Sequence, residues 1–194
     1  MFPNYKHQFR QDGFGCSSLS PMNLGPVVTR FGKELSKNLE NFHQGSKCYD
    51  KEIDKATGEP SALFFKNQAE FFNDSIGHRH KFTSKEKPKY FVWQDENRKI
   101  HKLNYIQSRQ FYCNFYERLA CENKDFKKLK ELVENGTNIQ ICGYDGRAIN
   151  KDTSIEAEYL SRDKPFGHEL VLYHMLTTLE PSAYVWRKHT TFQF

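Results

Sequence analysis

The sequence predicts an α+β fold, predominantly helical, in which a few short strands complete a single domain. Three observations carry this expectation. At 194 residues, with 37% hydrophobic and 15% aromatic side chains, the chain can bury one sizeable core, whereas two domains would each be marginal. Apolar residues recur at helical spacing in several long segments. Runs of β-branched and aromatic character are short and bounded by glycine or polar turns.

In chain order, residues 1–18 are polar, carry Gly13 and Gly15, and are expected to form an irregular arm ahead of a domain spanning 19–194. Residues 26–31, between Gly25 and Gly32, read as a strand, and residues 38–49 as a helix. A charged loop over 50–60 ends in Pro60. Residues 61–73, with Leu63, Phe64, Ala69, Phe71 and Phe72, read as a second helix. The basic segment 74–89 fits either a solvated loop or an electrostatic contact for phosphates. Residues 90–93 and 99–103 flank polar residues as the two arms of a hairpin. A third helix is expected over 108–120, where the aromatic stripe Phe111, Tyr112, Phe115, Tyr116 fits a core face better than a base-stacking platform. Residues 126–133 form an amphipathic helix stopped at Asn135-Gly136. Residues 138–142 read as a buried strand that delivers Gly143-Tyr144-Asp145-Gly146, and 166–179 as an apolar closing helix.

Composition narrows the function classes. A net charge of +5 suits a phosphate-bearing ligand or nucleic acid without demanding either. No long apolar run and no N-terminal hydrophobic signal core is present, so no membrane partner is expected and the location is expected to be cytoplasmic. The five cysteines lack a C-x-x-C pair, which suggests free thiols rather than a disulfide framework or a thiolate zinc site. His78, His80 and His101 are the nearest approach to a metal cluster, and His168, Glu169 and His174 have the wrong spacing for a zinc-protease helix. Neither a metal nor a cofactor is expected.

On the helix expected over 38–49, Leu39, Phe42, Ser46 and Tyr49 fall on one side. Glu40, Gln44 and Lys47 fall within an arc of roughly 60° on the other. Such a face also fits a solvated surface helix. The run Leu19-Ser20-Pro21-Met22-Asn23-Leu24-Gly25-Pro26-Val27, followed by Glu40-Asn41-Phe42-His43-Gln44-Gly45-Ser46-Lys47, resembles the start of a NADAR domain, the YbiA-like N-glycosidases. The acid, the Gln four residues on and the Lys seven residues on keep the spacing of that family's S-x-E-H-x-F-Q-A-x-K helix, with Asn41 in place of its His. Residues 143–146 are similar to the family's aromatic-Gly-Asp/Gly loop. Residues 166–179 are similar to its closing G-x-N-x-L-G-x-x-L-M helix, with His168-Glu169 near the position of the missing Asn.

The resemblance implies a single NADAR-like domain that cleaves the N-glycosidic bond of a ribosylated heterocycle. Either ADP-ribose on guanine in nucleic acid or a ribosylamino-pyrimidine phosphate would be the substrate. It implies Glu40, Lys47 and Asp145 as catalytic residues, with Asn38, Asn41, Gln44, Tyr144, Gly146, His168 and Glu169 contacting substrate. Glu40 would handle a proton or water. Lys47 would act as an electrostatic partner or as an amine that captures the opened sugar. Two other classes remain open: a nucleotide-binding or ADP-ribose-binding module that has lost the reaction, and a nucleic-acid-binding accessory protein. No lysine or arginine stripe runs along a helix to favour the latter.

Overall fold

The computed structural model describes residues 1–3, 15–80, 86–143 and 148–190. The fold mixes α and β structure, with helices carrying more of the chain than strands. The elements are β1 (Val27–Val28), β2 (Glu34–Ser36), α1 (Leu39–Gly45), β3 (Lys47–Cys48), α2 (Ala62–Asn73), β4 (Tyr90–Gln94), β5 (Ile100–Leu103), α3 (Tyr105–Glu122), α4 (Lys124–Glu134), α5 (Ile155–Leu160), α6 (His168–Thr177) and α7 (Val185–Lys188). β1 and β2 form an antiparallel pair, and β3-β4-β5 a three-stranded antiparallel sheet.

Helix α3 is the hub, touching α1, α4, α6, α7 and strands β4 and β5. Its expected aromatic stripe is core: Phe111, Tyr112, Phe115 and Tyr116 are all buried. The helix begins where Asn104 Oδ1 accepts from the N–H groups of Ile106 and Gln107, and Gln107 Oε1 accepts in return from Asn104 N. α4 ends at the Asn135-Gly136 exit, with Gly136 at φ 82° and Thr137 N bonding to Leu132 O at 2.9 Å.

Several expectations needed correction. The helix expected over 38–49 stops at Gly45. Ser46 Oγ donates to Phe42 O at 2.8 Å, and Lys47-Cys48 then pair with Phe91 and Tyr90 as an edge strand. The strand expected over 26–31 is limited to Val27-Val28, because Thr29 and Lys33 close a turn that leads into β2. Residues 138–142, expected as a buried strand, form no strand and are exposed or half-buried. Their Cys142 N–H bonds to Met1 O at 2.9 Å, and no ladder follows. Met1, Phe2 and Cys16, from the arm expected at 1–18, are buried in the body, with Phe2 bridged to Gly15. Helices α5 and α7 and strands β2 and β3 have no counterpart in the sequence reading. No helix among the described residues is long and apolar enough to cross a membrane.

Candidate functional site

Helix α1 is short, so its geometry depends on its ends. Asn38 Oδ1 accepts from Asn41 N at 2.8 Å, and the free N–H groups of Leu39 and Glu40 donate to Leu24 O at 2.8 Å and Pro21 O at 2.9 Å. These contacts fix Glu40 in the first turn. One turn later Gln44 Nε2 donates to Glu40 Oε1 at 2.8 Å, while Lys47 Nζ donates to Gln44 Oε1 at 2.7 Å. The carboxylate, amide and amine therefore form one hydrogen-bonded run. The buried Gln44 amide, with its donor toward the acid and its acceptor toward the amine, holds the two apart.

Burial lowers the Lys47 pKa to about 8, against the opposing pull of Glu40 and with a further push down from Arg79. His43, whose ring lies 5.4 Å from Phe91 and 5.1 Å from Tyr112, is held well below the ordinary histidine value by burial and then by Lys47. It is neutral at pH 7. The Tyr112 hydroxyl is pushed well above the usual tyrosine range by burial first, then by Glu40, Tyr116 and Glu169. It keeps its proton and can serve as a donor.

Glu169 opens α6. A Cβ at Gly143 would lie 2.6 Å from its Cγ, and one at Gly167 would lie 2.7 Å from its Oε2. Its carboxylate can therefore occupy this place only beside two glycines. His168 Nδ1 is 3.3 Å from Glu169 Oε2, and His168 Nε2 is 3.2 Å from Pro3 O.

Of the expected site residues, Glu40, Gln44 and Lys47 are bonded together, while Glu169 is packed beside Gly143 and Gly167 next to His168. Asn38 and Asn41 are occupied by backbone partners. Asn38 Nδ2 reaches Asp74 O and Ser75 O at 3.4 and 3.3 Å. Asn41 Nδ2 reaches Asp74 O and Ile76 O at 2.9 and 2.8 Å, and its Oδ1 accepts from His78 N at 2.8 Å. Tyr144, Asp145 and Gly146 lie outside the described residues.

His78, His80 and His101 do not converge: His78 pairs with Asp74 and His101 with Asp95, each at 2.8 Å, while His80 is buried with its Nε2 3.9 Å from Glu52. No group of three or more metal-ligating side chains gathers among the described residues, and the five cysteines are free thiols. The sequence reading missed His43 and assigned Tyr112 to the core alone. Their one local signal is that His43 stands a helical turn before Lys47. No family model, curated protein or solved structure matches the chain.

Proposed function

We propose that the chain is an N-glycosidase acting on a ribosylated heterocycle, with ADP-ribose on guanine or a ribosylamino-pyrimidine phosphate as the substrate class. The observation that carries this reading is the Glu40–Gln44–Lys47 run, in which a carboxylate and an amine of lowered proton affinity are held one amide apart. Cleaving the bond requires a nucleophile at the anomeric carbon and a proton for the departing nitrogen.

In a direct route, Glu40 takes a proton from water as its oxygen bonds to the anomeric carbon. The glycosidic electron pair leaves with the heterocycle, and the Lys47 ammonium supplies the proton. In a covalent route, neutral Lys47 Nζ attacks the same carbon and the heterocycle leaves with the glycosidic pair, taking the proton that Nζ sheds; the ring C–O bond then breaks as its oxygen takes up a proton, giving an imine that water hydrolyses to free the sugar and the amine. Tyr112 and Glu169 would meet the sugar hydroxyls.

One observation favours a binding module instead: Asn41, standing where the related helix carries His, has its amide fully engaged by backbone and offers no proton transfer. Incubation of the purified protein with ADP-ribosylated DNA and RNA and with ribosylamino-pyrimidine phosphates, read by mass spectrometry for the freed base, separates the two. Cleavage of any one supports the glycosidase. Binding without cleavage of any supports the module.

A further inference from the structure

We propose that His80 is a positioning residue of the site: its buried ring anchors the segment 74–80, whose last backbone N–H locks the Gln44 amide in the orientation that keeps Glu40 and Lys47 one amide apart. The proposal deepens the reading of that run as the reaction site, on which its catalytic consequence rests.

The direction of the Gln44 amide is what separates acid from amine. Gln44 Oε1 accepts from Lys47 Nζ at 2.7 Å and from His80 N at 3.3 Å, while Nε2 donates to Glu40 Oε1 at 2.8 Å. A turned amide would set its NH2 group against two donors and its oxygen against the carboxylate. Of the two donors, the backbone N–H keeps its role whatever the charge on Lys47, since a neutral amine can also accept.

The segment is fixed along its length. Asn38 Nδ2 donates to Ser75 O at 3.3 Å, Asn41 Nδ2 donates to Ile76 O at 2.8 Å, and His78 N donates to Asn41 Oδ1 at 2.8 Å. At Gly77 a Cβ would lie 2.4 Å from Met22 Sδ and 3.0 Å from Met22 Cα, so the backbone presses on the loop whose Pro21 O receives Glu40 N. At the far end the His80 ring, 2% exposed, stacks 5.3 Å from Phe71 of α2 and lies 4.5 Å from the Tyr49 ring. Its Nε2 is 3.9 Å from the fully buried Glu52, whose carboxylate is held by Asn67 Nδ2 at 2.6 Å and Tyr49 N at 3.1 Å. The ring therefore has a seat built by other elements, and the backbone N–H of the same residue is carried with it.

Without that anchor Gln44 can turn, Lys47 Nζ can pair with Glu40 directly, and water reaches the amine. Each change favours the ammonium. Glu40 and Arg79 act on Lys47, and Lys47 acts on His43; all of these side chains remain in the His80 variants. The test is an NMR titration of lysine-labelled protein, with the Lys47 signal assigned from Lys47→Arg, in wild type, His80→Ala and His80→Phe. His80→Ala should raise the proton affinity of Lys47 about tenfold or more. His80→Phe, which keeps a ring against Phe71 and Tyr49, should stay near wild type. Hydrogen exchange gives a second reading that does not need His80→Ala to fold. The His80 amide, which lies outside any helix or strand, should exchange slowly in wild type and fast in Gln44→Met. An unchanged Lys47 titration in His80→Ala, an equal rise in His80→Phe, or an unprotected His80 amide in wild type each overturns the positioning role. None of these readings needs substrate. A raised Lys47 titration in His80→Ala, with no cleavage of any ribosylated heterocycle by wild type, leaves the positioning role standing while the glycosidase reading falls. Cleavage with Lys47 unmoved in His80→Ala does the reverse.

Discussion

Lys47 is the residue on which the chemistry turns, because burial has brought its proton affinity to about pH 8, within reach of ordinary assays. The sign of the pH dependence follows from which form works. If the neutral amine attacks the sugar, kcat rises as pH passes upward through about 8. If the ammonium donates a proton or stabilises charge, kcat falls over the same interval. The groups acting on this titration are Glu40, which favours the ammonium, and Arg79, which opposes it, and His43 beside them stays neutral. Lys47→Arg keeps the charge but cannot form an imine, so near-complete loss of turnover and of borohydride trapping marks the covalent route, and partial retention marks the other. Glu40→Gln preserves shape while removing basicity. Turnover on a cleaved substrate should drop by roughly 10²-fold with affinity largely kept, and unchanged turnover would remove α1 from the reaction. The 40, 44 spacing was legible in sequence because side chains four residues apart meet on a helix, whereas Lys47, expected on the same helix, reaches Gln44 from β3. Tyr112 and His43 were not legible as a pair, since α3 and α1 bring their rings to 5.1 Å only in the folded chain.

At the level of elements, what local periodicity could report was the long helices. α2, α3, α4 and α6 fall where apolar spacing places them, with ends shifted by at most three residues. What it missed are pairings made with distant partners. Lys47-Cys48 continue a helical pattern in sequence, yet β4 claims their backbone, and residues 138–142 look strand-like but find no ladder partner. The same reasoning explains why α1 can be so short. Its first N–H groups are satisfied by Pro21 and Leu24, so the loop before Gly25 sets the position of Glu40. Gly25 permits this closeness: a Cβ there would lie 2.1 Å from Lys37 O and 2.9 Å from Asn38 Cα, both backbone atoms that cannot swing aside. Gly25→Ala should therefore destabilise the fold by about 2 kcal/mol or more and lower activity in the fraction that remains folded. Wild-type unfolding midpoints by denaturant titration would show that this close approach is dispensable.

Across the whole molecule, α3 ties the site to the remote half of the chain, and Arg109 is the clearest of these ties. It lies in the core with 5% exposure and, among the described residues, has no carboxylate partner in its hydrogen bonds. Instead its guanidinium donates to Tyr159 O, to Ser161 O at 2.8 Å, to Lys164 O at 3.0 Å and to Tyr105 Oη at 2.6 Å. Those carbonyls include the exposed-backbone end of α5, which points its partial negative charge at the cation. The charge is thus stabilised by a cage of dipoles that only a planar five-donor group can fill. The cage also orders the residues leading to Phe166, which packs edge-on against Tyr159 at 5.3 Å just before α6 and Glu169. Arg109→Met keeps much of the volume and leaves the buried Tyr159 carbonyl and the part-buried carbonyls of Ser161 and Lys164 without this donor, at a cost of about 3 kcal/mol. Arg109→Lys should recover only part of that, because an ammonium cannot reach all of the acceptors at once. Hydrogen exchange supplies the sharper readout. In Arg109→Met, amides of α5 and the start of α6 should lose protection while those of β4 and β5 hold theirs, whereas uniform loss, or none, would show that Arg109 is not the local clasp of this half.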